Sequence, residues 1–248
     1  MLIAFTPGRA VAAQADVLAV FVPHGKLSLA LADLDAQDGF AGLLAGAARD
    51  DGFDGRAGTS FWSPGLGKVA AKRVMLIGCG NGSAGELRAA AGLVGNQSRN
   101  KNARSVALSS PEAAIGATAL SLTIEAFAEG NYRFDKYKPA AQRKAASDTL
   151  TYVGVQEDAA TVAAALALAA GQELARNLVN EPASEIHPDS IAAIAEALAG
   201  ANVSVVASLG FEAIVAKGMG GIAGVGQGSD KKPRFVHLRY EPPGGAKA

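Results

Sequence analysis

Short apolar runs bounded by glycine, proline or charge alternate with longer segments of helical period. That alternation limits the fold more than any other feature of the chain. Asp16-Val-Leu-Ala-Val-Phe-Val22 is closed by Pro23 and Gly25 and reads as a buried strand. Arg73–Ile77, Ser105–Leu108 and Leu150–Val155 read the same way. Helical pattern covers Gly39–Arg49, Ala84–Asn100 and a stretch from Pro111 to about Glu129. Strand–helix alternation of this kind calls for helices layered on a mainly parallel or mixed sheet, so the expected fold class is α/β.

The second half keeps the alternation. From Asp158 to Leu178 the pattern is strongly helical, with Val162, Leu166, Ala170, Leu174 and Leu178 recurring every four residues as one apolar stripe. Asn180-Glu181-Pro182 breaks it. Pro188 suits the first turn of a helix that runs to about Leu198, with His187 at its N-cap. Val203–Val206 reads as a strand, Phe211–Lys217 as a short helix and Phe235–Tyr240 as a strand. Between them, Gly218–Ser229 reads as a loop denser in glycine than a connector needs. Glycine permits positive φ and close backbone approach, so the segment suits either a ligand-facing loop or a tight crossing of backbones.

Charge narrows the partners. Lys plus Arg and Asp plus Glu both number 23, so a general nucleic-acid binder with a basic face is not expected. Arg99, Lys101 and Arg104 form one small basic cluster that reads as a solvated helix end. The single cysteine, Cys79, excludes an intramolecular disulfide and fits a reducing compartment. Met1–Arg9 lacks the order of a secretory signal, and no run is long and apolar enough for a membrane span. A soluble, cytoplasmic protein is the expectation.

Chemistry is sparse. His24, His187 and His237 are scattered, no pair stands at i, i+4, and no Cys-x-x-Cys occurs, so a metal site built by this chain alone is not expected. There is no Gly-x-Ser-x-Gly elbow. Gly78-Cys-Gly-Asn-Gly-Ser-Ala-Gly85 sits between a strand and a helix, the context of a phosphate cradle. Its spacing is neither the dinucleotide fingerprint nor a Walker loop, and a tight βα turn with a buried, structural Cys79 is the plainer reading.

Three segments in series carry a resemblance. They are Glu129-Gly-Asn-Tyr-Arg-Phe-Asp-Lys-Tyr-Lys138; Ala175-Arg-Asn-Leu-Val-Asn-Glu-Pro-Ala183 followed by Pro188; and Gly218-Met-Gly-Gly-Ile-Ala-Gly-Val-Gly-Gln-Gly-Ser229 followed by Pro233–Tyr240. In this order and spacing the chain resembles the first half of the leucyl aminopeptidase (cytosol aminopeptidase) family. The resemblance implies a macro-domain-like N-terminal α/β domain at 1–148, a linking strand and helix at 149–178, and the beginning of a metallo-aminopeptidase catalytic domain at 179–248. It also implies a cytoplasmic homo-hexamer acting on peptides with two divalent ions, zinc or manganese, that activate a water.

The family's metal ligands lie on later segments, beginning with a strand that carries Asp-Ser-Gly-Gly, and this sequence contains no such motif. No catalytic, cofactor-binding or metal-ligating residue is therefore assigned here, and Lys247, in Gly-Ala-Lys-Ala, is not promoted to a ligand. The expectation is that a C-terminal catalytic half joins this chain, as a second polypeptide or as a segment removed at the Pro242–Gly245 turn. Without it, the chain should expose apolar surface, bind no metal and be inactive. The alternative is a non-catalytic module that binds a nucleotide-like ligand at Gly78–Gly85 or serves subunit assembly.

Overall fold

The structure is a computed structural model that describes residues 1–37, 39–112 and 115–243. Lys247 and the end of the Pro242–Gly245 turn lie outside the described residues. The chain divides into two compact units, Met1–Arg176 and Asn177–Ala248.

The first unit is built on a six-stranded sheet. Its strands are β1 (Leu2–Thr6), β2 (Val17–Val22), β3 (Ser60–Pro64), β4 (Arg73–Gly78), β5 (Ser105–Ser109) and β6 (Thr149–Val153), in the order β1-β6-β5-β2-β4-β3. All neighbours run parallel except the edge strand β3. The helices are α1 (Leu27–Ala30), α2 (Leu43–Asp50), α3 (Ala84–Asn100) and α4 (Ala117–Asn131), and α5 (Ala159–Asn180) crosses the boundary between the units.

Strand β2 shows why the central strands are apolar throughout. All six of its residues are buried. Val17, Ala19 and Phe21 join Leu87, Val94, Ile124 and Phe127 of α3 and α4 on one face of the sheet. Leu18, Val20 and Val22 join Leu27, Leu31, Leu44 and Ala48 on the other. Successive side chains point to opposite faces, so a strand covered on both sides must be continuously hydrophobic.

Helix α3 starts where local chemistry demands. The Ser83 hydroxyl accepts from the Glu86 amide, and the Glu86 carboxylate accepts from the Ser83 amide, a reciprocal capping box. Helix α2 is capped from a distance: Asp35 accepts from the amides of Leu44 at 3.1 Å and Ala45 at 2.9 Å. It begins at Leu43 rather than Gly39, because Ala41 and Gly42 both take positive φ ahead of it. Likewise α4 begins at Ala117, not Pro111. Pro111 and Glu112 form a bend, and Gly116 in extended conformation marks the start.

The segment 149–178, expected as a link, holds one strand and most of one helix of the structure. Its strand, β6, lies between β1 and β5 within the first sheet. Its helix, α5, rests on the first core through Val162, Ala165 and Leu166. Ala165, fully buried, is not on the i+4 stripe expected from sequence. At 3.6 residues per turn a strict four-residue step drifts around the helix, so the face that stays buried follows i, i+3, i+4 instead.

The second unit is small. Helix α6 (Pro188–Ala197), strand β7 (Val203–Leu209), helices α7 (Phe211–Ala216) and α8 (Gly220–Gly226), and strand β8 (Phe235–Tyr240) follow in order. Strands β7 and β8 form a two-stranded antiparallel sheet with a register irregularity between Val205 and Ala207. Its buried apolar residues, among those described, are Ala192, Ile214 and Ala223, while Val179 and Val225 are 85% and 89% exposed. A two-stranded sheet with so little burial is of marginal stability by itself.

Candidate functional site

The Gly78–Gly85 turn is the place where a helix N-terminus could receive a phosphate, so its amides decide the matter. Gly78 donates to Thr59 O, Cys79 to Val22 O, Gly80 to Gly55 O and Gly82 to Cys79 O. Asn81 and Ser83 both donate to Glu86 Oε2 at 3.1 Å, and the Ser83 hydroxyl does so at 2.8 Å. Every amide from Gly78 to Ser83 is thus already bonded inside the protein, and the Glu86 carboxylate takes those of Asn81 and Ser83.

Two glycines of this turn, Gly78 and Gly80, answer to packing. A Cβ on Gly78 would stand 1.9 Å from Arg56 O, and one on Gly80, at φ +56°, would stand 2.3 Å from Glu86 Oε1. Cys79 is fully buried. Burial first, and the Glu86 charge second, push its thiol up to about 11, so at neutral pH it is an inert thiol.

The Gly218–Ser229 segment, expected as a loop, is mostly helix α8. Gly218, at φ +69°, closes α7: its amide donates to Val215 O, and that of Met219 donates to Ile214 O. This is a Schellman ending, for which glycine is the favoured residue. Gly226 meets Pro233, whose ring would lie 2.5 Å from an added Cβ. These two glycines serve helix ending and close approach.

The histidines are apart. His24 lies 3.4 Å from Asp54. His187 is the N-cap of α6, as its place before Pro188 suggests, and its amide donates to Ser190 Oγ at 2.9 Å. His237 stands on β8 opposite Ala207. Among the described residues no group of three or more His, Cys, Asp and Glu is placed to hold a metal ion.

The basic cluster read at the end of α3 is dispersed. Arg99 Nη1 donates to Tyr132 O at 2.6 Å, Lys101 lies over the Trp62 ring at 5.7 Å, and Arg104 pairs with Asp148. What sequence reading missed is a different grouping, in which Arg99 joins Arg133 and Arg176 beside a cleft of about 530 Å³. No spacing signal could have found it, because the three come from α3, a loop and α5.

The fold is that of leucine aminopeptidases. The structure matches a tomato leucine aminopeptidase mutant at a TM-score of 0.82 and 22% identity, over 97% of this chain and 51% of that one. It matches the bottromycin maturation enzyme BotP in complex with Mn at 0.70 and 26%, over 92% and 46%. In sequence, residues 17–141 match the cytosol aminopeptidase family N-terminal domain and residues 173–248 match its catalytic domain. The chain belongs to the cytosol aminopeptidase family.

Probable cytosol aminopeptidases of Thermosynechococcus vestitus and Acidovorax ebreus are 31% and 32% identical over 92% and 93% of this chain. The chain spans about half the length of these relatives, 47% and 45%. No helix among the described residues is long and apolar enough to cross a membrane.

Proposed function

We propose that this chain supplies the N-terminal portion of a two-metal aminopeptidase that releases N-terminal amino acids from peptides in the cytoplasm. Residues 1–148 serve as the N-terminal domain, 149–178 as the connection and 179–248 as the opening of the catalytic domain. The observation that carries this is the match of both family domains, in order, along one chain. The metal ions, zinc or manganese, fit no set of donors among the described residues. Their ligands are assigned to a C-terminal half, and no step of the reaction is routed through this chain's own side chains. The exposed apolar residues of the second unit, Val225 and Val206 among them, support a covering partner there. The complete enzyme is proposed to be a homo-hexamer.

The test joins residues 1–240 to the C-terminal half of the Thermosynechococcus vestitus relative. With Mn²⁺ or Zn²⁺, the chimera should hydrolyse leucine p-nitroanilide and lose that activity in EDTA, while the present chain alone should be inert. Equal rates from both would overturn the assignment of ligands to the C-terminal half. A folded, metal-loaded chimera with no activity would overturn the aminopeptidase reading itself.

A further inference from the structure

Helix α4 ends at Asn131, and the chain then passes three arginines in close order. Arg99, on α3, reaches Tyr132 O with Nη1. Arg176, on α5, lies over the Tyr132 ring at 4.0 Å and donates Nη1 to Glu129 O at 2.9 Å. Arg133 follows Tyr132, and its Nε donates to Asp135 Oδ2 at 2.6 Å.

These guanidiniums are under-compensated. Asp135 is shared between Arg133 and Lys138, so one carboxylate faces two cations. The buried Nε of Arg99 and the buried Nη1 of Arg133 have no hydrogen-bond partner. Burial first, then the charges of Arg133 and Arg176, lower the Arg99 pKa, with Asp135 opposing. A buried N–H donor of a charged group that is left unpaired costs free energy, and a planar guanidinium fork pairs best with a carboxylate or phosphate.

The cleft beside Arg133 and Arg176 has room for such a group. It measures about 530 Å³, within the range of small-molecule sites, and both Arg133 and Arg176 line it. Leu2, Ala128, Leu166 and Ala169 supply apolar wall. Of the acids at its edge, Glu129 is paired with Arg88 at 3.1 Å and Asp148 with Arg104. Glu173, exposed, stands one turn before Arg176 on α5.

We propose that this cleft binds a small organic oxyanion, with Arg133 and Arg176 taking its carboxylate or phosphate and the Leu2–Leu166 wall its aliphatic part. The site belongs wholly to the first unit and does not rest on the aminopeptidase reading.

Isothermal titration of the full chain with succinate and with inorganic phosphate, at fixed ionic strength, tests it. At least one should bind saturably at one to one, and which is tighter tells carboxylate from phosphate. R133Q and R176Q should each weaken binding by about tenfold or more, through loss of charge-assisted hydrogen bonds. E173Q should tighten it by about twofold, through loss of a nearby like charge. R56Q, an exposed arginine outside the cleft, should change nothing. If R133Q does not fold, R176Q decides, because Arg176 is exposed. Absence of saturable binding by either anion, or wild-type affinity in R176Q, would overturn the proposal.

Discussion

The Asn131 carboxamide and the Ser147 backbone exchange two hydrogen bonds: Nδ2 donates to Ser147 O at 2.9 Å, and Ser147 N donates to Oδ1 at 2.8 Å. Both residues are buried, and the Ser147 hydroxyl continues the link to Ala103 O at 2.7 Å. The exchange ties the end of α4 to the residue that leads into β6, so the loop between them returns the chain to the sheet. In N131A the Ser147 N–H and C=O lose their partners inside the protein, which should cost at least about 2 kcal/mol. Urea unfolding followed by the fluorescence of Trp62, the single tryptophan and a first-unit residue, measures this. A loss below about 0.5 kcal/mol would mean that the buried groups find other partners.

Two glycine substitutions should move stability in opposite directions. Gly130 on α4 crosses Gly92 on α3 so closely that an added Cβ would meet Gly92 O at 2.1 Å. G130A must push the helices apart and should destabilise the first unit by about 2 kcal/mol, even after the gain in helix propensity. Gly171 on α5 has open space around it, and G171A should stabilise by about 0.5–1 kcal/mol. Equal effects from the two would contradict the close helix crossing.

Asp135 should make part of the stability acid-sensitive. The Lys138 ammonium first, then the Lys144 amide and Arg133, hold its carboxyl near 2, against the ordinary 3.8. A carboxyl depressed in the folded state stabilises fully above its unfolded pKa, and that contribution fades as pH falls toward the folded value. D135N should therefore be less stable than the parent at pH 7, and the gap should narrow between about pH 4 and 2. A gap that stays constant across that range would show that Asp135 is not held by its cations.

Cys79 should resist modification until the chain unfolds. It is fully buried, with its thiol raised to about 11. A colorimetric disulfide reagent at pH 8 should report no thiol in native protein and one per chain in guanidinium, since the thiolate is the reactive form. Prompt reaction of native protein would show that the β4–α3 turn opens readily.

Helix α3 and the continuous apolar runs of β2, β4 and β5 were legible because their signals are local: a helical period, and strands apolar on both faces. The three segments that carry the family resemblance were legible for the same reason, being contiguous. The edge strands β1 and β3 were not. They are only partly buried, and a partly covered strand needs its neighbour to declare it. The place of β6 between β1 and β5 is set by parallel pairing with strands far away in sequence, and the buried face of α5 follows a helical repeat that four-residue counting misses. The occupied amides at Glu86 and the grouping of Arg99, Arg133 and Arg176 were also decided in three dimensions. Sequence by itself determined which segments are strands and helices at the centre of the fold, and the family. Tertiary structure alone decided which polar groups meet, because those meetings join residues far apart in the chain and no local period encodes them.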